Sequence, residues 1–234
     1  MTGFVDHPQL GRVIVHGRTG ATRVTARWKE GEPHLTVPAH ATRETVMRIL
    51  DGLAPRMLAR RPALPDFRPG TRLEVEGLTI EFRDTARHPH GVTARPSLPL
   101  TYVEIGRGLD VTALSGASAV SRIVRRVAGV VAADLLLPRA RQLSGEAGVA
   151  PAEWRIGRGA RTLGTCHADR SITISSNVVF LPQELRDYIV WHELAHLTEM
   201  NHGPRFHALC NGYCGGRERE LIRRLKMFEW PVMR

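Results

Sequence analysis

From Ile189 to His202 the chain reads IVWHELAHLTEMNH, and no other stretch restricts the fold as strongly. His192 and His196 are four residues apart. On an α-helix that spacing sets both on one face, one turn apart, so a single metal ion can reach both imidazoles. Glu193 lies beside that position, where its carboxylate can take a proton from a metal-activated water. Ile189, Leu194, Ala195 and Leu197 give the segment the apolar content of a buried helix, and Pro182 suits a first helical turn. Burying two histidines and a glutamate without partners is costly, so such a helix needs a ligand to account for it. The competing reading, a surface helix with incidental histidines, leaves the apolar flanks unexplained.

A catalytic zinc takes three protein ligands and leaves a fourth position to water. His202 is the leading third ligand, because five residues separate it from His196, as in the longer pattern HExxHxxGxxH. Glu199 stands where that pattern has its turning glycine. Asn201, which tolerates left-handed geometry, is the expected substitute, and Gly203-Pro204 marks the end of the helix. His207, Glu218 and Glu220 are the rivals to His202. Glu199 is expected to support the ligands rather than join them.

The 234 residues suffice for one large domain or two small ones with a substantial core. The formal charge is +10, and Lys29 and Lys226 are the only lysines, so nearly all the positive charge is arginine. Genomic composition bias explains that as readily as an anionic partner recognised by guanidinium forks. Cys166, Cys210 and Cys214 suggest no disulfide framework; Cys210 and Cys214 read as small packing residues rather than ligands. The opening MTGFVDHPQLGRVIV is not the pattern of a secretory signal, and the apolar run 127–137 is too short for a bilayer and contains Asp134. The expectation is a cytoplasmic protein with no membrane association.

Alternation of apolar and polar residues predicts strands around Val13–Val15, Val24–Trp28 and Leu35–Val37. A helix capped by Thr42 follows, with Val46, Ile49, Leu50 and Leu53 on one face. Residues 60–70 read as a connector. A hairpin is expected to turn at Glu76-Gly77, His88 and His90 to sit in an exposed loop, and Thr101–Ile105 and Leu109–Thr112 to form strands. Ala117–Leu137 predicts a long helix ended by Pro138, with Arg122, Arg125 and Arg126 as a solvated basic stripe. Val149–Ile156 and Ser171–Ser175 read as strands, 182–200 as the metal-motif helix, and Pro204–Asn211 and Arg217–Met227 as terminal helices. No internal repeat is evident. The fold expected is α+β, with a β-rich region over 1–112 and a zincin-like catalytic core with its HExxH helix over 113–234.

The stretch HELAHLTEMNHGPRF, from His192 to Phe206, resembles the signature of the YgjP-like metal-dependent hydrolases, HELxHxxxxNHSxxFW. RTLGTC, from Arg161 to Cys166, stands in the place of that family's RWGSC element. Leu181-Pro182, the run Tyr188–Val190 and the Val37-Pro38 step are similar too. Thr162, Gly203 and His207 depart from the usual Trp, Ser and Trp, and 85–99 resembles an insertion. The resemblance implies a zincin-like core, His192, His196 and His202 as metal ligands, and Glu193 as general base.

The function expected is therefore zinc-dependent hydrolysis, foremost by a metallopeptidase acting on a peptide or protein. Two alternatives are a nucleotide phosphohydrolase similar to UTP pyrophosphatases, and a nucleic-acid-associated protease. Phosphate chemistry usually recruits Mg²⁺ on oxygen ligands, and no GxxxxGK cradle is present. Arg161, Arg205 and Tyr213 are of a suitable type to stabilise an oxyanion, but nothing in the sequence assigns them that role.

Overall fold

The computed structural model describes residues 2–29, 31–61, 63–159 and 162–233. Its chain contacts form two compact units, Met1–Pro65 with Met233–Arg234, and Asp66–Val232. The composition change near Ser115 falls inside the second unit, where the longest helix begins.

The first unit is a four-stranded sheet with one helix. Strands β1 (Thr2–His7) and β2 (Gly11–Arg18) form a hairpin, β3 (Thr25–Lys29) and β4 (Glu32–Pro38) form another, and β2 pairs with β4 in parallel. The sheet order is β1-β2-β4-β3. Helix α1 (Arg43–Leu58) is capped by the Thr42 hydroxyl, which accepts from the Thr45 N–H, as the sequence predicts. Val13, Leu35 and Val37 from the sheet pack against Val46, Leu50, Ala54 and Met57 from the helix. His7 fastens the first turn: its Nδ1 accepts from the Gln9 and Leu10 N–H groups, and its Nε2–H donates to Asp51.

The second unit opens with the same topology. Strands β5 (Arg72–Val75), β6 (Leu78–Thr85), β7 (Val92–Ala94) and β8 (Leu100–Gly106) order as β5-β6-β8-β7, again two hairpins joined by a central parallel pair. A helix again follows, so the unit ββββα occurs twice. The expectation of no internal repeat is thus corrected at the level of structure. Gly77 makes the β5–β6 turn at φ 81°, and a Cβ there would stand 2.7 Å from Leu135 of the following helix, so glycine meets both demands. Leu109–Thr112, expected to be a strand, is a turn leading into that helix.

Helix α2 runs from Leu114 to Ala147, past the expected stop at Pro138, and ends at Gly148 in the left-handed region (φ 67°). Proline removes one N–H from the ladder, but Pro138 is on the exposed face, where water can satisfy the freed carbonyl. Beyond it the buried face continues through Ala140 and Leu143, and Arg139 forks onto Asp187 at 2.7–3.3 Å. A three-stranded sheet follows, ordered β10 (Gly164–Cys166), β11 (Ile172–Ser175), β9 (Trp154–Gly157), so β9 is shorter than the strand expected over 149–156. A 3-10 turn at Ser176–Phe180 leads into α3 (Gln183–His196), then α4 (Pro204–Tyr213) and α5 (Glu218–Met227). The architecture is a mixed α+β fold. Among the described residues, no helix is long and apolar enough to cross a membrane.

Candidate metal centre

Helix α3 is held from three sides. Its N-terminal junction is stapled by Arg186, whose buried guanidinium donates to the carbonyls of Leu181 (2.7 Å), Val179 (2.6 Å) and Glu76 (3.1 Å). Burial lowers the pKa of this group. Asp187 receives Arg139 from α2. On the exposed side Glu184 receives Arg217 (3.1 Å) and Arg224, which also hold Glu220 on α5. The N-terminal part of the helix, 184–187, is thereby fixed ahead of His192, Glu193 and His196.

The chain turns sharply after His196. Thr198 and Glu199 both donate their N–H to the Ala195 carbonyl, and Gly203 donates to Asn201. Asn201 is not in the left-handed region, contrary to expectation; Arg170 alone among the described non-glycine residues is. The turn is built from successive backbone hydrogen bonds and needs no residue in place of the missing glycine.

This turn brings His202 back over the helix. Its Nε2 lies 3.1 Å from Nε2 of His192 and 3.1 Å from Nε2 of His196. One ligand atom from each of the three histidines falls within a 4.8 Å set. The His196 Nδ1 stands 3.1 Å from the Glu199 carbonyl, which only accepts, so Nδ1 carries the proton and Nε2 presents its lone pair. Burial, then the neighbouring imidazoles, lowers the His192 pKa to about 4, and burial lowers that of His196. Neutral imidazoles with converging lone pairs repel one another unless a cation lies between them. Nitrogens at the roughly 2.0–2.1 Å zinc–imidazole distance on tetrahedral vertices stand about 3.3 Å apart. The observed separations fit that donor set. His192 Nδ1 is buried without a partner, so this ring is oriented by packing rather than by a hydrogen bond.

Phe206, from α4, is the packing platform. Its ring centroid lies 4.9, 4.4 and 4.7 Å from those of His192, His196 and His202, and it is fully buried. Phe206 closes the HELAHLTEMNHGPRF stretch in sequence, but its contact with all three rings depends on the chain reversal. The rivals to His202 are committed elsewhere. His207 Nδ1 pairs with Glu218 at 2.8 Å, and Glu220 belongs to the arginine cluster on α5. Glu199 supports the cluster through its carbonyl, while its carboxylate holds Arg205 at 2.9 Å. Cys210 and Cys214 are buried packing residues, as expected. Arg161 lies outside the described residues.

Glu193 sits between the histidines and β10. It is 5% exposed, and burial raises its pKa to about 7, opposed by the Cys166 N–H that donates to it. Gly164 makes the space. A Cβ there would stand 2.4 Å from Glu193 Oε1 and 2.5 Å from its Cγ. Sequence reasoning missed Gly164, although the RTLGTC element contains it. The arrangement can hold a divalent ion on three nitrogens and keep a proton-accepting carboxylate at its side.

The sequence profile of the YgjP-like metallopeptidase domain matches residues 22–227. The chain belongs to this family. Membership makes it a metallopeptidase-type domain, and so a protein built for metal-dependent hydrolysis. No curated protein matches the chain. Among solved structures it is similar to the crystal structure of the metallopeptidase zymogen of Pyrococcus abyssi abylysin, at 21% identity over 40% of this chain and 93% of that one, with a TM-score of 0.36.

Proposed function

We propose that this YgjP-like domain is a zinc-dependent peptidase in which His192, His196 and His202 hold the ion and Glu193 is the general base. The convergence of three imidazole nitrogens at 3.1 Å beside a buried carboxylate carries the reading. The ion supplies Lewis acidity, polarising a carbonyl and acidifying water. The chain supplies the rest. Glu193 accepts the proton of the attacking water and delivers it to the departing amine nitrogen. Glu193, whose burial favours the neutral form, would be held ionised and ready as a base were a dication bound beside it. Strand β10 lies at the edge of its sheet next to Glu193, where an extended peptide can align its backbone groups. That position favours a peptide over a phosphate ester, as does the all-nitrogen donor set.

Metal content and hydrolysis, compared between wild type and Glu193→Gln, test the proposal. Both proteins should bind about one zinc per chain, and only wild type should cleave an unfolded protein. Glu193-dependent release of pyrophosphate from nucleoside triphosphates without proteolysis would transfer the site to phosphohydrolysis. Absence of stoichiometric metal in both proteins would remove the basis of the reading.

A further inference from the structure

Most arginines of the second unit that lie near carboxylates are neutralised: Arg107 by Asp84, Arg139 by Asp187, Arg155 by Glu153, and Arg217 and Arg224 by Glu184. A second set is not. Among the described residues, Arg87, Arg95, Arg122, Arg126 and Arg158 form no ion pair with a carboxylate, and all five line two adjoining cavities. The first, of about 230 Å³, has Arg122, Arg126 and Arg158 on its walls and Gly129, Ser176 and Asn177 within it. The second, of about 540 Å³, contains Arg87, Arg95 and Tyr102 and shares Arg126 with the first. Among the described residues, Glu104 is the only carboxylate in either lining.

Asn177 lies in the wall of the first cavity. It is 2% exposed, and its Nδ2 donates to the Gly159 carbonyl and Ser175 Oγ, while its Oδ1 has no partner among the described residues. A buried acceptor without a donor is unfavourable, but this oxygen is itself closed to solvent, so the ligand preference of the cavity is set by its guanidinium groups and is for negative charge. Arg122 and Arg126 stand four residues apart on one helix face, where like charges repel. Among the described residues their side chains make only long contacts, 3.4 Å to Ser118 Oγ and 3.4 Å to the Ala94 carbonyl, which leaves them to meet a ligand.

We propose that these cavities form one binding trough for single-stranded nucleic acid, separate from the residues of the candidate metal centre. Even with Arg125 of the first lining left out of the count, five guanidinium groups against the one described carboxylate exceed what a single phosphate neutralises, whereas a phosphodiester strand supplies charge at intervals along the trough. Guanidinium forks match phosphate oxygens. Arg83 already lies 3.5 Å over one face of the Tyr102 ring, so only the opposite face of that ring, in the lining of the second cavity, is left for a base to stack on. The concave cavities admit one strand, while a duplex would rest on their rims.

Gly129 provides a test that leaves the charge intact. A Cβ there would meet nothing closer than Ser176 Oγ at 4.0 Å, so a larger side chain is accommodated by the backbone and projects toward the cavity. Binding of a labelled single strand of roughly 15 nucleotides to the full-length protein is followed by fluorescence anisotropy over a range of salt concentrations. Arg122→Ala with Arg126→Ala should weaken binding by at least about tenfold and lower the salt slope by about 1.4, two contacts at about 0.7 each for single strands. Gly129→Leu should weaken it comparably, and Arg219→Ala with Arg223→Ala, on α5, should not. Thermal melts of each variant should match wild type. The proposal is overturned if the α5 variant loses as much as the α2 variant, if Gly129→Leu binds as wild type does, or if duplex, tripolyphosphate or a poly-glutamate peptide competes as strongly as the single strand.

Discussion

Gly164→Ala is the sharpest probe of the metal centre, because it adds one methyl group and touches no proposed ligand. The new Cβ would lie 2.4 Å from Glu193 Oε1, 2.5 Å from Cγ and 2.6 Å from Cδ, whereas ordinary contact begins at 3.4 Å. About 1 Å of movement is therefore needed, and at 5% exposure Glu193 has little room to supply it without leaving its place beside the histidines. Strand β10 resists as well, since Gly164 is paired with Ile174. A misplacement of about 1 Å in a catalytic group costs on the order of 10²-fold in rate. The expected result is a kcat/KM lower by about two orders of magnitude, with zinc stoichiometry unchanged, because the three atoms nearest the added Cβ all belong to Glu193 and none to an imidazole. Hydrolysis of an unfolded protein and metal analysis on the same preparation measure both quantities. Wild-type turnover in the variant would refute the position assigned to Glu193. Loss of zinc together with activity would refute the separation between base and ligands.

Phe206→Ala removes the platform under three imidazoles; a stability loss of about 3–5 kcal/mol in the metal-free protein and weaker zinc retention against a chelator are expected, and unaltered retention would exclude a positioning role. Arg186→Met strips the donors from the three carbonyls of Leu181, Val179 and Glu76, which should cost roughly 3 kcal/mol and lower the Tm by about 6–12 °C; a shift below about 2 °C would show that the guanidinium is dispensable. The contacts from Arg224 and Arg217 hold the Glu184 carboxyl below its usual range, and Arg217 holds Glu220 at about 2. Carboxyls depressed in the folded state stabilise above their unfolded pKa and lose that contribution as pH falls through the folded value. The Tm advantage of wild type over Glu184→Gln with Glu220→Gln should accordingly be full at neutral pH and fade from about pH 4.5 toward about 2; an advantage independent of pH would contradict the linkage.

The legible part of this protein is local. His192 and His196 could be read together because helical spacing alone sets their common face, and His202 because a fixed number of residues returns the chain to that face. Thr42 as a cap and Gly77 as a turn were legible for the same reason: the residue that solves the backbone problem stands at the problem. Pro138 misled because its cost depends on which side of α2 faces solvent, a tertiary fact. Asn201 misled because backbone hydrogen bonds made the turn without a left-handed residue. The ββββα repeat left no trace because strand pairing constrains only alternation, which many sequences satisfy.

Gly164 and Phe206 show why part of the centre escaped the sequence. Neither residue type carries chemistry, and neither lies near His192 or Glu193 along the chain, yet one sets the room for the carboxylate and the other the orientation of the rings. Glu193 is buried because β10 and α3 close around it, and it can lie so close to β10 because position 164 has no side chain. The low His192 pKa has a similar origin: burial, with the other histidines adding to it. The histidine motif names the groups that can act; the glycine and the phenylalanine, brought in by strand pairing and by the reversal after His196, determine where those groups stand.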